Sequence, residues 1–170
     1  MKTKYVALAA SIVVVVLVIA FLYPVNIDNQ GNTNQDQLLG KKWVMKSFVK
    51  DGQETLLQGV ANITINFDAD WSLDGSGSCN TYSSDYQTSE GYLISGKTNG
   101  DEKQIGVGGK ISLGAIAATE RACLDGGLMD LEQQFFASLG GVTSFELTTI
   151  TEQLQELRLF SDDKQTILVF

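Results

Sequence analysis

Residues 62–78 read NITINFDADWSLDGSGS, and the first six of them alternate polar with apolar side chains. At period two, Ile63, Ile65 and Phe67 fall on one face, which is the pattern of a strand with one buried side. Trp71 and Leu73 resume the alternation after Asp68-Ala69-Asp70, so the stretch predicts two strands joined by a solvated hairpin turn. Asp74-Gly75-Ser76-Gly77-Ser78 then supplies residues that tolerate tight or left-handed backbone.

The reading extends in both directions. Upstream, Lys41–Val49 (KKWVMKSFV) predicts one β-strand ended by the turn pair Asp51-Gly52. Downstream, Ser89–Gly109 carries six glycines among short apolar pieces, which predicts hairpin tips and loops rather than long regular elements. Ile105-Gly106-Val107-Gly108-Gly109-Lys110 lies there and reads as a hairpin loop, because its spacing is not that of a phosphate-binding loop. Leu128, Leu131, Phe135, Phe136 and Leu139 form the stripe of an amphipathic helix, with Asp130 in its first turn and Gly140-Gly141 beyond its end. Phe145/Leu147, Leu157/Leu159 and Ile167–Phe170 predict three more strands, the last two joined by a turn at Ser161–Lys164. The sum is an α+β fold: a mostly antiparallel curved β-sheet with one main α-helix.

Composition narrows the chemistry. The chain has 170 residues, 44% of them hydrophobic and one of them proline, which suits a single folded domain. Twelve basic against 20 acidic residues give a net charge of −8, which repels phosphates and disfavours nucleic acid as a partner. A histidine count of zero excludes Ser/His/Asp and Cys/His catalysis and every histidine-containing zinc site.

Residues 5–23 are uncharged and mostly apolar, preceded by Lys2 and Lys4 and followed by Pro24. As a helix they cover roughly 28 Å, close to the ~30 Å hydrocarbon core of a bilayer. The sequence therefore predicts a cytoplasmic tail over 1–4, a transmembrane helix over 5–23, a flexible Asn- and Gln-rich stalk over 24–37 and a domain over 38–170. The lysines at the N-terminal side put that domain outside the cytoplasm, on the periplasmic side or cell surface. A cleaved signal peptide shares the charged start and apolar core, but the exit side lacks a small-residue cleavage pattern. No cysteine near residue 20 offers a lipid-accepting site, so a lipoprotein reading fails.

Cys79 and Cys123 are the only cysteines. Outside the cytoplasm a disulfide between them persists, and closing their loop contributes about 4 kcal/mol in the chain-entropy model. Two separately buried thiols are the alternative. Asp68, Asp70 and Asp74 place oxygen ligands at alternate positions, but an EF-hand needs glycine at its sixth position and glutamate at its twelfth, where Leu73 and Cys79 stand. A weak calcium module, or a hydrolase using these carboxylates as acid and base, is the alternative function they offer.

Taken in order, Leu39-Gly40-Lys41-Lys42-Trp43, Ile65-Asn66-Phe67, Gly77-Ser78-Cys79-Asn80-Thr81-Tyr82, Tyr86 and Thr119-Glu120-Arg121-Ala122-Cys123 resemble the META domain of HslJ-like heat-shock proteins. The likeness runs on through Met129–Leu139 and the closing strands, over about residues 38–170. Relatives commonly carry glycine where Ser78 stands, methionine where Arg121 stands, and a shorter connection than 89–109. The resemblance marks Trp43, Gly77, Asn80, Thr119 and Glu132 as motif positions beside the two cysteines. It implies a role in envelope stress or drug tolerance through an envelope protein partner, and it brings no catalytic residue set, cofactor or metal. The residues themselves fit structural roles: Trp43, Phe67 and Leu139 suit a core, Gly77 a turn, and the Asn80 amide a cap or bridge.

Overall fold

A computed structural model describes residues 33–170 apart from 58, 60, 99–100, 124–125 and 152–153. The expected tail, membrane helix and most of the expected stalk lie outside the described residues. Among the described residues, no helix is long and apolar enough to cross a membrane. The end of the expected stalk is helical: α1 spans Thr33–Leu38 and delivers Leu38, fully buried, into the core.

The first strands are β1 (Lys42–Val44), β2 (Ser47–Lys50), β3 (Gln53–Leu56), β4 (Ile63–Phe67) and β5 (Ser72–Gly77). β6 (Thr81–Thr98), β7 (Asp101–Leu113) and β8 (Ala117–Ala118) follow, then helix α2 (Gly126–Leu139). β9 (Val142–Thr151), β10 (Leu154–Ser161) and β11 (Thr166–Val169) complete the order. They form one sheet with the order β1-β4-β5-β6-β7-β9-β10-β11-β2-β3, with β8 added on β6. Every pairing is antiparallel.

The alternation that predicted β4 holds: Ile63, Ile65 and Phe67 are buried, and Ile65 lies between Trp43 of β1 and Gly75 of β5. The predicted closing strands and the turn between the last two are present as β9, β10 and β11.

The segment 41–49 departs from the single strand expected of it. Met45 donates its N–H to Ile63 of β4 (2.9 Å) and Lys46 donates to Val169 of β11 (2.7 Å). Two neighbouring residues thus stitch strands from the two ends of the ladder, and the sheet curls into a half-barrel around its apolar face.

The glycine-rich stretch 89–109 also departs from expectation, since it forms most of a long hairpin of β6 against β7. A glycine inside a strand marks a place where something else comes close. The Tyr92 ring covers Gly108, Ile105 covers Gly96, and the Leu147 backbone abuts Gly106, so a Cβ at any of the three would overlap its neighbour. Gly106, Gly108 and Gly109 are therefore strand residues paired with Thr148, Glu146 and Phe145.

Helix α2 packs on the sheet with Phe135 and Leu139 buried. It starts at Gly126, earlier than the stripe suggested, so its first turn holds no acidic residue and Asp130 belongs to the second. It ends where expected, with the Gly140 N–H on the Phe136 carbonyl (3.0 Å) and the Gly141 N–H on that of Ser138 (3.1 Å).

Candidate functional site

The turn from β5 into β6 passes through Ser78, Cys79 and Asn80. The Gly77 N–H closes it on the Asn80 carbonyl (2.8 Å). Ser78 has φ = 104°, in the region that favours glycine. α2 lies directly over this turn: a Cβ at Gly77 would stand 2.6 Å from the Phe136 ring and 2.7 Å from Glu132 Oε1. Only glycine allows that approach.

Glu132 is 4% exposed, an acidic side chain on the buried side of a helix. Such a group needs several strong donors to sit away from water. Its Oε1 accepts the backbone N–H groups of Cys79 (3.1 Å) and Asn80 (2.7 Å), and its Oε2 accepts the Asn80 amide Nδ2 (2.6 Å). The same Nδ2 donates to the Arg121 carbonyl (3.2 Å). On its other side, Asn80 Oδ1 accepts the Thr119 hydroxyl (2.9 Å) and the Arg121 N–H (2.7 Å). A side-chain amide carries two N–H donors and an oxygen with two lone pairs, so Asn80 is fully used. Thr119 is further tied to β6 by its own N–H on the Thr81 carbonyl (3.0 Å).

Cys79 and Cys123 form a disulfide across these elements, with Cα atoms 5.7 Å apart. The segment 119–123 is thus pinned to the β5–β6 turn twice, through Asn80 and through sulfur, just before α2 begins. Of the motif residues, Gly77, Asn80, Thr119 and Glu132 come together here with the two cysteines. Trp43 does not: it is buried in β1, where its indole N–H donates to the Leu38 carbonyl (3.2 Å).

The chemistry left over at this node is small. Both oxygens of Glu132 are occupied by donors. Among the described residues, the grouping with metal-ligand spacing is the Cys79 and Cys123 sulfurs with Glu132, atoms within 4.8 Å of one another. Sulfurs bonded to each other are not thiolate ligands. A shallow groove of about 610 Å³ runs over the node, with Thr119, Arg121, Met129 and Phe136 among its walls.

Asp68, Asp70 and Asp74 do not converge. Asp74 Oδ2 accepts the Asn66 amide across the β4–β5 ladder (3.2 Å). Asp70 Oδ1 accepts the Ser72 hydroxyl (2.7 Å) and the Ser72 N–H (3.2 Å). That hydroxyl first, and the amide second, hold the Asp70 carboxyl below the usual carboxylate range. The loop 68–71 is the hairpin turn the sequence predicted.

Two features had a sequence signal that periodicity does not weigh. Glu132 stands four residues after Leu128 and three before Phe135, inside the apolar stripe, and a carboxylate there announces buried donors opposite. Trp71 stands in a turn, where a large aromatic has no reason of local geometry to be.

A family model described as META domain matches residues 36–170. An NMR structure of a protein from Burkholderia xenovorans is 18% identical and superposes with a TM-score of 0.54, covering 79% of this chain and 83% of that chain. A second NMR structure is 19% identical with a TM-score of 0.45, covering 79% of this chain and 92% of that chain. The first likeness is one of fold. No curated protein matches the chain.

Proposed function

The chain belongs to the META domain family, and from that premise we propose that it is a non-enzymatic binding domain of the cell envelope, anchored by residues 5–23 with its domain extracytoplasmic. It takes part in envelope stress or drug tolerance by binding an envelope component. One observation carries this reading: the polar motif residues spend their hydrogen-bonding capacity on one another. Asn80 has no donor or acceptor to spare, and both oxygens of Glu132 receive internal donors. A general base or nucleophile needs a group that can reach substrate, and this node builds a rigid platform instead. The disulfide supports the compartment, because such bonds persist where the milieu is oxidising.

The test is capture of the full chain, cross-linked in its own membranes before and after heat stress. An envelope component enriched specifically with this chain supports the reading. A domain sheltered from protease added outside spheroplasts overturns the orientation, and a mature N-terminus beyond residue 20 overturns the anchor.

A further inference from the structure

We propose that the groove between the β4–β5 turn and β6 is a binding site for a primary ammonium group, seated on the Trp71 indole and held by the carboxylates of Asp70 and Asp85. The proposal deepens the reading of the domain as a binding module and rests on it, since it names the chemistry that module recognises.

The groove exists because β6 outlasts its neighbour. β5 pairs with β6 as far as Ser72 opposite Asp85, and from Tyr86 the ladder of β6 runs with β7. Beyond Asp85, among the described residues, no strand follows on the side that β5 occupied. The turn carrying Trp71 folds into that step and leaves a cavity of about 490 Å³ walled by Asp70, Trp71, Asp85, Tyr86, Gln87 and Thr88.

Trp71 is held there from both ends. Its N–H donates to the Asp68 carbonyl (3.3 Å) and its carbonyl accepts the Tyr86 N–H (2.8 Å). Its φ is 67°, a conformation costly for a bulky side chain and served without strain by glycine or asparagine. The indole rests against the Tyr86 ring, centroids 5.6 Å apart, and remains 37% exposed. Trp43, the other tryptophan, is buried.

The charges around the indole are of one sign. Asp70 is locked by Ser72 through one oxygen, and neither Asp70 nor Asp85 has a Lys or Arg partner among the described residues. Behind this wall, Thr88 Oγ1 is buried without a hydrogen-bond partner among the described residues. Carboxylates exclude anions. A hard metal ion would prefer several converging oxygens to an indole face. An organic cation uses the indole and both carboxylates: a tryptophan face is the best aromatic partner for an ammonium group, and the net charge of −8 draws such ligands in. The ammonium has two natural sources, a free amine or polyamine and a lysine side chain of a protein partner.

Calorimetric titration of the full chain in non-ionic detergent tests the site, with spermidine as the free amine and a short Lys-Gly-Lys peptide as the protein source. The acetylated peptide and a neutral oligosaccharide are the controls. The expected result is binding of at least one ammonium probe and of neither control, with affinity falling as salt rises. Trp71→Ala should weaken it roughly tenfold, Trp71→Phe less, and Asp70→Asn or Asp85→Asn each about threefold or more. Trp71→Phe keeps the ring, so it reads the site even if the alanine variant misfolds. Preference for spermidine or for the peptide assigns the source. No binding, binding indifferent to Trp71, or equal binding of a neutral control overturns the proposal, and none of these results touches the capture experiment on the envelope component.

Discussion

The node around Asn80 and the groove around Trp71 flank the same strand, β5, and they are opposites. At the node the polar side-chain atoms of Asn80 and Glu132 find partners inside the chain, and glycine is used where contact is closest. At the groove an aromatic residue occupies backbone suited to glycine, two carboxylates lack cations, and a hydroxyl is buried without a partner. Buried polar groups are costly when unmatched. At one end of β5 the buried polar groups are matched within the chain, whereas at the other the carboxylates stay in water and one buried hydroxyl is unmatched.

That contrast can be broken or sharpened by substitution. The largest effect is expected from replacing Cys79 and Cys123 with serine. Their sequence separation of 44 residues corresponds to about 4 kcal/mol of lost stability in the chain-entropy model, read by denaturant unfolding. Asn80→Asp comes next, at about 3 kcal/mol. The shape is unchanged, but the donor to Glu132 and to the Arg121 carbonyl becomes an acceptor facing acceptors. A loss below ~1 kcal/mol in that variant would mean the node is not saturated as described. Ser78→Gly should run the other way and stabilise by about 1 kcal/mol in thermal melting, because φ = 104° is glycine backbone.

Tyr82→Phe should cost somewhat less, roughly 0.5–1 kcal/mol, through loss of the hydroxyl that donates to the Thr64 carbonyl (2.9 Å). This residue also sets a pH dependence. Burial first, and the charge of Asp74 second, push its phenol well above the usual tyrosine range. The folded state therefore keeps a proton that the unfolded chain gives up near pH 10. Stability is fully present below about pH 10 and declines as pH rises beyond it, and the phenylalanine variant should lose that component of the decline. The smallest effect on stability belongs to the groove: Asp85→Asn, at an exposed carboxylate, should move the unfolding free energy by less than ~0.5 kcal/mol. A large loss there would place the groove on the structural side of the comparison.

The same division explains what the sequence disclosed. β4, the closing strands and the body of α2 were legible because each buries one face, and a single buried face writes its period into the chain. The hairpin of β6 and β7 was not, since Gly96, Gly106 and Gly108 read as loop residues until the atoms lying over them are known. The break at Met45-Lys46 was hidden for a different reason: both halves of 41–49 are strand-like, and only β4 and β11, from distant parts of the chain, pull them apart. The motif order brought Gly77, Asn80, Thr119 and Glu132 to notice as a set, but the bonds that unite them appear only when α2 is laid on the turn. No motif pointed to Asp85 or Thr88, whose significance comes from the place where β5 stops and β6 continues.

The stitching at Met45 and Lys46 also has a meaning in time. β2 finds its ladder partner in β11, and β3 pairs only with β2. Residues 47–50 are made early and 166–169 late, so β2 waits for β11 before the curl can close. Until then the edge of β2 that β11 covers stays open to any other extended chain nearby, and non-local pairing of this kind slows folding. A newly made domain is thus most exposed to misassociation before its last strand is in place.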